Sequence, residues 1–290
     1  MSTVVGVGDY TYDADGNWGR SPQLPAFGLV SGVAGDSQDR VYVFQRLPTP
    51  IMLVFEPDGQ LVDSWGTGAF RTPHGVWISP DDHLYCTDIG AHTVTKWTRD
   101  GKLLATWGTP GEVGAPGMPF NRPTRVFRTP QGEMFVSDGY GQHRVHRYSA
   151  AGELQLSWGE EGTGPGQFTA PVHNVCLDER GRVLVLDRGN DRVQLFTRDG
   201  EYLGQWRDIV MPQELLIDQA GTIYIIGGRG PDQHVTIMDL DGQTLARWGE
   251  PGDAPGQFVG SPHGLWIDSR GDLYIIEVEA DNRVQKFSRR

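Results

Sequence analysis

Three of the eight histidines in this 290-residue chain stand in one kind of local sequence: His74 in TPHGVW, His173 in APVHNV and His263 in SPHGLW. Each follows a proline by one or two residues and opens an apolar run. Neutral imidazoles are good ligands for zinc and related divalent transition metals. Three of them with a coordination position left open make the donor set of a catalytic rather than a structural zinc site. The chemistry on offer is Lewis-acid activation of an oxygen. To supply it, the fold must bring together residues that lie far apart along the chain.

The elements that would do so are internal repeats. Trp-Gly recurs at Trp65, Trp107, Trp158 and Trp248, with Trp206 before Arg207 in the same register, at spacings of 42 to 51 residues. Six residues before each Trp stands a turn glycine, Gly59, Gly101, Gly152, Gly200 or Gly242, preceded by Asp in four cases and by Ala151 in one. Asp-Gly between apolar runs reads as a type I′ hairpin, with both central residues at positive φ. Upstream of each turn lie an alternating run, an apolar run and a run that opens after a proline or its equivalent. Each unit of about 45 residues is therefore four short antiparallel strands, and no helical period competes with them.

Such units repeated radially predict an all-β fold, a six-bladed β-propeller. The units begin near Val30, Pro73, Pro123, Pro171, Pro212 and Pro262, and the sixth stops one strand short. The run VVGVGDYTYD, residues 4–13, is the expected missing strand, which would close the ring and cover its open edge. Residues 1–29 thus read as closing strand and lead-in, 30–290 as six blades, and 1–290 as a single domain. Alignment of the first strands puts Ser31, His74, Thr124, His173, Gln213 and His263 in one slot, expected to face the channel at one depth. Histidine fills alternate blades, about 120° apart, so the three imidazoles should converge. The other histidines, His83, His92, His143, His146 and His234, share no such register and read as surface or loop residues. Cys86 and Cys176 form neither a CxxC pair nor a disulfide framework and read as buried reduced thiols.

Composition narrows the partners. Lys+Arg 25 against Asp+Glu 37 leaves a net charge of −12, which repels phosphate backbones and anionic lipid surfaces. No stretch reaches the ~20 apolar residues of a membrane span, and MSTVVGVGDY lacks the form of a signal peptide. The expectation is a soluble cytoplasmic protein with a small-molecule substrate and no nucleic-acid or membrane partner.

The turn-and-Trp units resemble NHL repeats. More narrowly, Arg46 after VYVF, TPHGVW, SDGYGQHRV, WGEEGTGPGQF leading to His173, DRGNDRVQLF and SPHGLWID resemble peptidyl-α-hydroxyglycine α-amidating lyase from about Val30 to Phe287. That resemblance implies a six-bladed propeller with zinc on His74, His173 and His263. It implies cleavage of the C–N bond of an α-hydroxyglycine to an amide and glyoxylate. Tyr140 would act on the substrate hydroxyl, with Arg46 and Arg188 as guanidinium groups around the substrate. A Tyr beside zinc and Arg suits proton transfer, and an Arg fork suits a carboxylate. Taken without the resemblance, Tyr140 is a turn aromatic, and Arg46 and Arg188 are strand-end charges. The Asp-containing ends SDGY and LDRG, and VFQR in the first unit, place all three after a second strand.

The chain departs from the pattern at several points. The family's structural calcium is held by an Asp directly after the third histidine and by backbone carbonyls that match Val33 and Val76; here Gly264 takes the Asp position. Ser261 replaces a Met, APV precedes His173 where the family has Pro, and Gly141 replaces a disulfide cysteine. No copper monooxygenase domain stands within the 290 residues, so the expected substrate is a small carbinolamide or related α-hydroxy acid. Two other readings remain open at this level. One is a metal-dependent hydrolase or lactonase on the same three histidines. The other is a non-catalytic NHL propeller that binds a protein or RNA, against which the absence of a Lys/Arg cluster speaks.

Overall fold

The computed structural model describes residues 3–22, 24, 26–278 and 282–290, which form six antiparallel blades in a propeller arrangement. Among the described residues the only helices are two short 3-10 segments, and none is long and apolar enough to cross a membrane. The first strands are Val30–Gly35, Pro73–Ile78, Pro123–Arg128, Val172–Leu177, Pro212–Ile217 and Ser261–Ile267. The second strands are Val41–Gln45, Leu84–Asp88, Met134–Asp138, Val183–Asp187, Ile223–Gly227 and Leu273–Val278. The starts expected from the prolines hold to within one residue.

The hairpin turns differ from expectation. Only the glycines, among them Gly59, Gly101, Gly200 and Gly242, have positive φ; the aspartates before them do not. Gly59 N–H donates to Glu56 O at 2.9 Å, and Glu56 N–H to Gln60 O at 2.9 Å. The same pair of bonds recurs from Thr98 to Lys102 and from Thr197 to Glu201. These are type I turns closed by a glycine in the left-handed region, one residue longer than type I′. The aspartate serves instead as an acceptor, as where Asp58 Oδ1 takes the Gln60 N–H at 3.0 Å.

The turn glycine and the Trp recur together because they touch across neighbouring blades. Trp107 Nε1 donates to Gly152 O at 3.2 Å, and a Cβ on Gly152 would stand 2.9 Å from that nitrogen.

The N-terminal run closes the sixth blade, but as a hairpin rather than as one strand. Tyr10–Asp15 pairs with Val284–Arg289, with Tyr12 opposite Arg289 and Ala14 opposite Phe287. Thr3–Val7 folds back on Tyr10–Asp15 as a fifth strand. The reversal falls at Gly8, whose φ of 57° suits glycine.

By its contacts the chain divides into two compact units, Met1–Ala69 with Leu216–Arg290, and Phe70–Leu215. The first is held by Tyr12, Ile226, Ile237, Phe258, Leu273 and Phe287, and by Trp18, Val33, Phe55, Tyr274 and Ile276. The second is held by Tyr85, Val94, Phe120 and Val136, and by Phe135, Phe168, Val185 and Phe196. In both, consecutive sheets bury their apolar faces against each other, which hydrophobic transfer favours. Tyr12 lies fully buried in this packing whereas Val4 is exposed. Tyr12→Ala should therefore cost about 3–5 kcal/mol in a denaturant titration, against less than about 0.5 kcal/mol for Val4→Ala.

Candidate functional site

The slot residues stand where the ladder breaks. In the second blade Pro73 faces Asp88 and Val76 faces Cys86, so His74 and Gly75 share one partner residue. In the fourth, Val172 faces Asp187 and Asn174 faces Leu186, leaving His173 as the extra residue. Ser31, Thr124 and His263 occupy the same break. Each is a β-bulge, the device that re-aims a side chain out of strict alternation. APV before His173 leaves it in register with the others, Pro171 following a cis peptide bond just ahead of the strand.

The bulged histidines are oriented identically. His74 Nδ1 donates to Thr124 O at 2.9 Å, His173 Nδ1 to Gln213 O at 2.6 Å and His263 Nδ1 to Ser31 O at 3.0 Å. In each case the acceptor is the slot residue of the next blade. A carbonyl can only accept, so Nδ1 carries the proton and Nε2 of the neutral ring keeps its lone pair. All three residues are buried, with one ligand atom of each within 4.8 Å of the others, and they could hold a metal ion.

Tyr140 joins two of them. Its Oη lies 3.3 Å from His74 Nε2 and 3.3 Å from His173 Nε2. The phenol has one proton for two lone pairs, so hydrogen bonding alone cannot satisfy the pair. A donor set of aligned neutral nitrogens, with backbone acceptors fixing the far side of each ring, fits a divalent transition metal.

No family model matches the chain. It is 36% identical over 310 residues to NHL repeat-containing protein 3 of Homo sapiens, an alignment that spans 95% of this chain and 84% of the relative. The chain belongs to the NHL repeat-containing protein family. It is also 28% identical to peptidyl-alpha-hydroxyglycine alpha-amidating lyase 1 of Drosophila melanogaster, over 82% of this chain and 49% of that protein. Among solved structures, a gluconolactonase from Xanthomonas campestris matches at a TM-score of 0.67 and 16% identity, over 96% of this chain and 89% of that one. That likeness is one of fold.

In this NHL-repeat protein a buried polar residue at the end of the second strand anchors the loop that leads into the slot. Asp88 accepts the N–H groups of Arg71 at 2.7 Å and Thr72 at 2.9 Å. Asp138 accepts Asn121 N–H at 2.9 Å, Asp187 accepts Thr169 N–H at 3.1 Å and Glu277 accepts Val259 N–H at 2.7 Å. Arg188 comes directly after Asp187, and Arg46 directly after Gln45, whose Oε1 accepts the Gly28 N–H at 3.0 Å; both arginines are half-buried. The Arg188 guanidinium makes no hydrogen bond or ion pair among the described residues.

Sequence reasoning missed Arg122, whose guanidinium lies 5.5 Å from the Tyr140 ring centroid. Its N–H donates to His92 Nδ1 at 3.2 Å, and both residues have positive φ, 66° and 58°. Met211 repeats the arrangement with Asp191. The legible signal was position, since Arg122 and Met211 both immediately precede the proline of a first strand.

His146 and His234 are not surface or loop residues. His234 opens the strand His234–Met238, and burial pushes its pKa below the ordinary value. His146 is fully buried, with Nε2 3.1 Å from Asp138 Oδ2 and Nδ1 2.7 Å from Ser157 Oγ. The composition is that of a hydrolytic triad, but the role is that of Gln194 and Gln285, which bind Asp187 and Glu277 from the equivalent positions. Both cysteines are free and buried, and burial pushes both thiols up.

One residue past the slot, Arg125 and Glu214 form a buried ion pair, Nε to Oε1 at 3.3 Å. Burial pushes the Glu214 carboxyl up to about 7 against the pull of Arg125. The folded state therefore holds this proton more tightly than the unfolded chain, whose glutamate titrates near 4.3. Its stabilising contribution is complete below about 4.3 and lost as the pH rises through about 7. Across that interval the melting midpoint of wild type should fall relative to that of Glu214→Gln.

Proposed function

We propose that this chain is a metal-dependent lyase that breaks the C–N bond of an α-hydroxyglycine-type carbinolamide, giving an amide and glyoxylate or a related carbonyl compound. The observation that carries the reading is the Tyr140 hydroxyl, 3.3 Å from the Nε2 atoms of both His74 and His173. It puts a proton carrier at the edge of a metal donor set. Similarity to an amidating lyase supports the same reaction class.

His74, His173 and His263 would hold the ion, zinc being the first choice for three neutral imidazoles. When bound, such an ion supplies a Lewis acid for the substrate oxygen. Tyr140, in its phenolate form, removes the proton from the substrate hydroxyl. The C–O bond becomes a carbonyl as the C–N electron pair leaves with the amide nitrogen, and Tyr140 returns the proton to that nitrogen. Atoms and charge balance without a co-reactant, and the phenolate is regenerated. Arg188, half-buried at a strand end, and Arg122, stacked on the Tyr140 ring, supply guanidinium groups for the substrate carboxylate. Arg46 takes the corresponding position in the first blade. The substrate is a small molecule.

The test begins with metal analysis of the purified chain and a screen of α-hydroxy-amido acids. Tyr140→Phe should lower kcat by about 10²–10⁴ with metal content unchanged, whereas His173→Ala should lose the metal. In isotopically labelled water the amide product should stay free of solvent oxygen. A hydroxy acid that carried the label, together with full activity in Tyr140→Phe, would make the site a hydrolase.

A further inference from the structure

The calcium implied by the resemblance to the amidating lyases does not fit the residues of this chain. In the second unit, side chains already take up the groups it would need. Val76 O, one of the two carbonyls matched to that ion, accepts a hydrogen bond from Arg125 Nη1 at 2.5 Å. Arg125 Nε reaches Glu214 Oε1, and the same oxygen accepts from Asn174 Nδ2. All three side chains are buried, Arg125 and Glu214 at 5% and 7% side-chain exposure. Each directly follows the slot residue of its own blade, so together they form the tier next to the histidines.

The glycines of that tier agree. A Cβ on Gly75 would come within 2.6 Å of Thr124 O and 3.4 Å of Arg125 Cδ, so glycine leaves the space that the arginine stem occupies. A Cβ on Gly264, the position of the expected aspartate, would stand 3.0 Å from Ile276 Cγ1. An acidic side chain there would crowd the sheet.

We infer that the Arg125 guanidinium, paired with Glu214, is a built-in replacement for a structural calcium, and that the folded chain neither binds nor needs the ion. Calcium takes six to eight oxygen ligands at about 2.3–2.6 Å, several of them carboxylate. Here the tier's carboxylate is already engaged, and the permanently charged guanidinium repels a divalent cation. The guanidinium also does mechanical work that an ion would otherwise do. It ties the first strand of the third blade to Val76 of the second and Glu214 of the fifth, and Asn174 brings in the fourth.

The test is thermal unfolding of the full chain at a pH of about 8, where Glu214 is ionised, in millimolar calcium and in excess EGTA, with calcium content measured on the purified protein. The two midpoints should agree within about 1 °C, whereas a site holding calcium at a hundred times its dissociation constant would separate them by about 5–10 °C. Arg125→Met, which keeps the stem and removes the charge, should lower the midpoint by about 6–15 °C in either solution. If that variant does not fold, Arg125→Lys, which keeps the charge but not the fork, should lie between it and wild type. Stoichiometric calcium on the purified chain, a lower midpoint in EGTA, or an Arg125→Met midpoint equal to wild type would each overturn the inference.

Discussion

A ladder running unbroken through residues 73–78 would pair the backbone of His74 and make its side chain alternate strictly with its neighbours between the two faces of the sheet. The bulge prevents both. It leaves one residue of the first strand without a ladder partner and turns its side chain off the alternating pattern. It also leaves that residue's carbonyl available, and this second consequence matters as much as the first. Thr124 O and Ser31 O, both at bulges, are the acceptors that hold the rings of His74 and His263. One irregularity, repeated blade by blade, thus presents an imidazole and orients the imidazole before it.

A break in the ladder costs backbone hydrogen bonds, and a buried group left unpaired is expensive. The carboxylates at the second-strand ends limit that cost. Asp88 alone accepts four backbone N–H groups, from Arg71, Thr72, Gly90 and Ala91, all within 2.9 Å. Asp187 and Glu277 add buried partners in Arg192 and Arg283. The loops that carry Tyr140 and Arg188 begin at these anchors, so the same residues that close the backbone account also fix the rim.

The architecture was legible because it is periodic: the Trp and its turn glycine recur in five units and a proline stands at the start of five first strands, each for a local steric reason. The three histidines were legible because they share one register in that period. What escaped were features set by a single extra residue or by contacts between blades. Type I′ and type I turns with a closing glycine both read as Asp-Gly. The N-terminal run hid a reversal at Gly8 inside one apolar stretch. Arg122 carries no motif, and only the fold lays its guanidinium over Tyr140. The exchange of calcium for Arg125 depends on a partner, Glu214, that lies two blades away.

Two sets of histidines in this protein show that residue type decides less than position relative to the ladder. His146 sits within an intact ladder, opposite Val136 and Ser157, and both its ring nitrogens are engaged, by Asp138 and by Ser157. It has no lone pair left to offer, which is why Gln194 can fill the same position in the next blade and donate to the same kind of carboxylate. His74, His173 and His263 sit where bulges interrupt the ladder, and each donates from Nδ1 to a neutral carbonyl. A neutral ring so held carries its lone pair on Nε2, and a glutamine in its place could not supply an equivalent nitrogen lone pair. Gln213 occupies the slot in the fifth blade, and its backbone carbonyl orients His173.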